Sequence, residues 1–147
     1  MNQLYQLTAF LAKALFKKDS PIIPDNAFPA NSEPGIVLTR IRQLLAEGNI
    51  NTAENLLFDS FDRQKPYFIA IGLELYAKIS EFDDKALEDA DFSREEIQEG
   101  IGDMLKFYNI KISIKKAPQP TPGQPMNNQP NVAPNVMADP PKGGRSI

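Results

Sequence analysis

The amino-acid sequence predicts an all-α fold: a small bundle of about five or six helices, followed by a disordered Pro-rich tail. Three observations predict it. Apolar residues recur at three- and four-residue spacing through most of residues 3–108, which is the period of one face of a helix. Residues suited to helix starts and stops, Pro34, Gly48 and Ser93 among them, fall between these runs. The composition then changes near Lys116. From Ala117 to Ile147 there are eight prolines, no aromatic residue, and Asp139, Lys142 and Arg145 as the charges. Such a segment buries too little apolar surface to offset the entropy of ordering its chain. The expected organisation is a helical domain over 1–116, long enough for one hydrophobic core, and a disordered Pro/Asn-rich tail over 117–147.

The first helix is expected over 3–17. Leu4, Leu7, Leu11, Ala14 and Leu15 form its apolar stripe, widened by Tyr5, Ala12 and Phe16, with Gln6, Lys13 and Lys17 opposite. Residues 19–34 carry four prolines, at 21, 24, 29 and 34. They read as a long irregular connection, of a kind uncommon in compact domains unless packed or functional. A second helix is expected over 34–47, with Pro34 in its first turn and Val37, Leu38, Ile41, Leu44 and Leu45 inward. Gly48 suits the left-handed position that ends a helix.

Asn51 followed by Glu54 reads as a capping box for a third helix to about Phe61, with Ala53, Leu56, Leu57 and Phe61 inward. A fourth helix is expected over 65–80, where Gly72 marks a close helix crossing, since glycine costs about 1 kcal/mol in a helix interior. A short acidic helix follows at 84–90. Ser93-Arg-Glu-Glu96 is a second capping box, opening a helix to about Tyr108 with Ile97, Ile101, Met104, Leu105 and Tyr108 inward; Gly100 and Gly102 weaken it. Residues 110–116, Ile-Lys-Ile-Ser-Ile-Lys-Lys, alternate apolar and polar as a strand does. They read as an extended segment on the bundle or an edge offered to a partner.

The Leu44–Phe58 stretch, with Gly48 at the turn, Ala53 at a small packing position and Leu57 four residues later, resembles one tetratricopeptide-type hairpin. A second copy about 34 residues on would put Gly and Ala at positions held by Phe82 and Leu87, so no tandem array is expected. Over roughly residues 3–110 the chain also resembles a family of short bacterial proteins of unknown function. Leu11–Asp19, Glu47–Phe58 and Phe92–Gly100 carry that likeness. It implies an all-helical, tetratricopeptide-like fold and brings no activity with it.

The inventory narrows function further. There is no cysteine, which rules out a disulfide frame or thiolate site and fits a cytoplasmic protein. There is no histidine, which removes the usual general base and the commonest metal ligand. Lys13 interrupts the first apolar run, which argues against a secretory signal, and no apolar run reaches the length of about 18 residues that a spanning helix needs. The net charge of −3 and the pI of about 5.0 argue against nucleic acid. Residues 81–103 concentrate ten acids against Lys85 and Arg94. Within them Asp89-x-Asp91-x-Ser93 starts like a calcium loop, but Arg94 stands where the sharp turn needs Gly, and Gly100 where the closing Glu belongs.

Carboxylates are plentiful, yet nothing places two of them in an apolar pocket, which is what drives their pKa values apart. No catalytic residue, metal site or cofactor is expected. The expected function is that of a non-enzymatic helical interaction module, an adaptor or small regulator with a protein partner. Its working surface would be the outer face of the second helix, with Leu38 and Arg42 as the contact residues. The alternative is a peripheral membrane protein held by its N-terminal amphipathic helix, whose polar side carries Lys13 and Lys17. The helix pair leaves apolar faces to be covered within the chain or by a second copy.

Overall fold

A computed structural model describes residues 2–111. Six helices follow one another: α1 (Gln3–Phe16), α2 (Glu33–Ala46), α3 (Ile50–Ser60), α4 (Tyr67–Ser80), α5 (Asp84–Asp89) and α6 (Arg94–Phe107). There is no strand among the described residues. The fold is therefore all-α with the expected number of helices. The expected tail over 117–147, its boundary with the helical domain, and the alternating segment from Ile112 to Lys116 lie outside the described residues.

α4 is the centre of the bundle. It packs on α1, α2, α3 and α6, and eleven of its fourteen residues are buried. A helix that is apolar around most of its circumference has to sit inside others, and the run Tyr67–Ser80 interrupts its apolar residues with little besides Glu74 and Lys78. Leu11 of α1, Ile41 of α2, Ala53 and Leu57 of α3, and Ile97 and Met104 of α6 close on it as fully buried side chains. Gly72 faces the Met104 thioether, and a side chain there would stand 3.2 Å from a Leu57 methyl. The expected close crossing is real: α4 meets α3 and α6 through this glycine.

The helix ends follow the sequence where local chemistry decides them. Ser32 accepts a bond from the Gly35 N–H, and Pro34 lies in the first turn of α2. At the other end Gly48 has φ +81°. The Gly48 N–H reaches the Leu45 carbonyl and the Asn49 N–H reaches that of Leu44, the paired bonds of a Schellman stop. Ser93 and Glu96 cap α6 reciprocally. α1 also ends on a left-handed residue, without glycine: Lys17 takes φ +60°, and its N–H bonds the Lys13 carbonyl, the single bond of the simpler αL stop.

Two local expectations are corrected. Asn51 and Glu54 do not form a capping box. α3 already begins at Ile50, with Asn49 in the cap position and no side-chain bond. Ile50 is 1% exposed, and its burial draws the helix start forward. Asn51 instead donates to the Ala90 carbonyl, and Glu54 accepts from the Tyr76 hydroxyl. On α1 the buried face runs through Thr8, Leu11 and Ala12, whereas Ala14 is exposed. Thr8 can be buried because its hydroxyl bonds the Tyr5 carbonyl one turn back.

Gly102 of α6 has open space where a side chain would stand and a helical backbone. Gly102→Ala is expected to stabilise the protein by about 0.5–1 kcal/mol, the helix-propensity difference, read as a shift of the urea midpoint at constant slope. An unchanged or lowered midpoint would contradict this reading of the α6 surface.

Candidate functional site

The Pro-rich connection between α1 and α2 is tied to the core by one buried carboxylate. Glu74, in the middle of α4, is 1% exposed. Its Oε1 accepts the Ile23 N–H at 2.7 Å. Arg42 of α2 grips it with two bonds: Nε to Oε2 at 2.8 Å and Nη2 to Oε1 at 2.8 Å. The same Nη2 donates to the Ile23 carbonyl at 2.8 Å, and Nη1 reaches Asp25 at 3.1 Å. Lys78, one turn along α4, stands 3.5 Å from Oε2. Burial by itself raises the Glu74 pKa, but the bonds from Arg42 and the Ile23 N–H outweigh it, and the carboxyl is held below its ordinary value. Arg42 is held above its own, first through its bond to Glu74. A buried carboxylate is tolerated when it is paired and fully hydrogen-bonded, and this one has both.

Ile23 therefore has a fixed backbone, and the connection folds back over α1 and α4. Between them lies a cleft of about 650 Å³. Its floor is Ala12, Pro21, Ile23 and Leu73, all buried; Phe16, Phe28, Tyr67 and Ala70 are half-buried in its walls. The Phe28 and Tyr67 rings stand 6.1 Å apart at 58°. At the rim, Asp19 pairs with Lys13 at 3.2 Å, and Lys18 lines the opening. Clefts of this size, apolar with a few polar groups at the edge, are the usual form of ligand sites.

A second carboxylate is half-buried elsewhere. Glu54 of α3 accepts the Tyr76 hydroxyl at 2.7 Å. Burial raises its pKa, with Glu96 and Asp103 adding to the effect and the Tyr76 bond opposing it. Burial, followed by the nearby Glu54 charge, also pushes the Tyr76 hydroxyl well upward. Neither residue lines the 650 Å³ cleft. The acids of 81–103 are distributed along α5, α6 and the turns that precede them. Arg94 ties that segment to the end of α4 through the Ser80 and Phe82 carbonyls and Asp84. No group of three or more acidic residues among the described residues is disposed to hold a metal ion.

The two residues expected to meet a partner are placed otherwise. Leu38 is 6% exposed and is not on the outer face of α2. Residues 38, 41 and 45 share one helical stripe, and that stripe is buried because α2 packs on both α3 and α4. Arg42 lies beside it and turns its guanidinium inward to Glu74. The outer stripe is Ile36, Thr39, Arg40 and Gln43, all exposed, with Ile36 at 56%. Glu74 was not singled out from the sequence, although a lone acid within seven apolar residues on its N-terminal side is a visible signal for a buried ion pair.

Fold and site together define a six-helix all-α domain, carrying an apolar cleft braced by a buried ion pair. The chain belongs to a family of unknown function, DUF6483, whose model matches residues 1–109. No curated protein matches it, and no solved structure does. No helix among the described residues is long and apolar enough to cross a membrane.

Proposed function

We propose that this protein is a non-enzymatic, cytoplasmic interaction module, an adaptor or small regulator, that meets a protein partner with the outer face of α2. The observation that carries this reading is the exposed stripe Ile36, Thr39, Arg40 and Gln43. It presents the most exposed large apolar side chain among the described residues, Ile36, beside a charged one, on a helix whose opposite face is locked into the core. Arginine is among the residues enriched at interface hot spots, and Ile36 offers exposed apolar area beside Arg40. The resemblance of the α2–α3 pair to a tetratricopeptide-type hairpin supports the same reading. The engagement of Glu74, Glu54 and Tyr76 in internal bonds supports a non-catalytic role. The packing of α1 favours a protein partner over a membrane anchor, since Thr8, Leu11 and Ala12 face the bundle and Phe10 is the large apolar residue left exposed on that helix.

The test is affinity capture from the native host with the intact chain and with Ile36→Asp and Arg40→Glu, each checked for an unchanged circular dichroism spectrum. The expected result is a discrete partner retained by the parent chain and lost with either substitution. Retention by both variants would remove α2 as the working surface, and recovery of background proteins alone would remove the reading itself.

A further inference from the structure

We propose that the cleft between α1, the 17–32 connection and α4 is a binding site for a free straight-chain fatty acid, a function separate from the protein contact through α2. Shape, lining and charge each point to that chemistry. The volume of about 650 Å³ lies within the range of small-molecule sites, roughly 300–1,000 Å³. The walls that face one another are side chains without charge, among them Phe16, Phe28, Tyr67 and Leu73, which favours an apolar body. The charged residues lining it are Lys18 and Asp19. Asp19 is neutralised by Lys13, while Lys18 has no ion pair among the described residues. Lys17 adds a further positive charge just past the end of α1. The rim thus carries uncompensated positive charge on a protein that is acidic overall. An apolar chain ending in a single carboxylate matches this arrangement. A neutral chain leaves Lys18 unmatched, and a cationic one is repelled.

The site is also preorganised. The Ile23 N–H and carbonyl are both held, by Glu74 and Arg42 respectively, so the connection keeps its curve over α4 without a ligand. Binding in such a frame carries little ordering cost on the protein's side.

Titration calorimetry of the full chain with sodium dodecanoate below its micelle concentration tests the proposal, alongside dodecyltrimethylammonium and flotation with phosphatidylglycerol vesicles. The expected result is saturable binding of one dodecanoate per chain, with the cationic amphiphile weaker. Ala70→Phe and Ala27→Trp, which place bulk in the cleft from α4 and from the connection, are each expected to abolish binding while leaving the circular dichroism spectrum unchanged. Lys18→Glu is expected to weaken binding about threefold, the size of an exposed ion pair, and to erase the preference over the cationic amphiphile. Absence of saturable binding, uptake of several ligands per chain, or equal affinity for both amphiphiles overturns the proposal. Binding to vesicles without binding of free dodecanoate overturns it in favour of a membrane surface.

Discussion

Glu74→Ala is expected to destabilise the protein by about 3–5 kcal/mol, the cost of removing one partner from a buried ion pair. The substitution orphans more than a charge. It leaves the Ile23 N–H without its acceptor and frees two of the bonds that fix the Arg42 guanidinium. Arg42 keeps the Ile23 carbonyl and Asp25, but neither replaces the buried charge: the Asp25 carboxylate is almost fully exposed, and an exposed pair returns less than about 1 kcal/mol. Glu74→Gln keeps the shape and can still accept from Ile23, so it should fall between the parent and the alanine variant. Urea unfolding at pH 7 measures both. A loss below about 1 kcal/mol for Glu74→Ala would mean that the connection is held by its own packing of Pro21 and Ile23 rather than by the carboxylate.

The same pair sets an acid dependence whose sign follows from the depressed pKa. The carboxyl of Glu74 sits below its ordinary 4.5 in the folded protein, so its stabilisation is fully present above that value and is lost as pH falls through the folded one. Glu54 acts in the opposite sense. Its raised pKa means that the folded state disfavours its ionised form, a penalty present at neutral pH and relieved on acidification. The parent chain should therefore lose stability below about pH 4.5 through Glu74, and Glu74→Gln should flatten that limb. Glu54→Gln, which can still accept from Tyr76, should gain on the parent at pH 7 relative to pH 4. Parallel curves for Glu74→Gln and the parent would remove Glu74 from the acid response.

How much of this was legible in the sequence depended on how local the cause was. Gly48, Pro34, and Ser93 with Glu96 act within a few residues of themselves, and the helix ends they predict are found. The Asn51–Glu54 capping box is the same kind of pattern, yet it fails, because burial of Ile50 and long-range partners on Ala90 and Tyr76 claim its members first. Leu38 and Arg42 show the limit on the functional side. Helical spacing already puts Leu38 on the inward stripe with Ile41 and Leu45, and its burial agrees with that stripe and not with the contact role expected of it. Arg42 looks like a surface charge until Glu74, thirty-two residues away, is brought beneath it. The cleft was less legible still. Its walls come from α1, the connection and α4, and no period or motif joins Ala12, Phe28 and Ala70. What the sequence did carry was the length and proline content of residues 19–34, which marked that connection as packed or functional.

Gly100→Ala is expected to destabilise the protein by about 2 kcal/mol, against the helix propensity of alanine, which alone favours it by about 1 kcal/mol. The reason is the neighbour. A side chain at Gly100 would meet the Tyr76 hydroxyl, its Cζ at 2.6 Å and the Glu54 carboxylate at 2.7 Å. The Tyr76 ring is fully buried on α4, so it cannot swing aside as a flexible chain end would, and moving it also disturbs the bond to Glu54. Overpacking of this kind costs about 1–3 kcal/mol beyond what propensity returns. Gly102, two residues further along the same helix, carries the opposite expectation because nothing stands over it. Helix weakness therefore cannot be the common cause of both glycines. Tyr76→Phe removes the hydroxyl that crowds Gly100, so the double variant Gly100→Ala with Tyr76→Phe should be more stable than the two single losses added together, by about 1 kcal/mol. Strict additivity in urea unfolding would show that the collision with the hydroxyl is not what excludes a side chain from position 100. The cost would then lie in the approach of α6 to the Tyr76 ring carbon and Glu54.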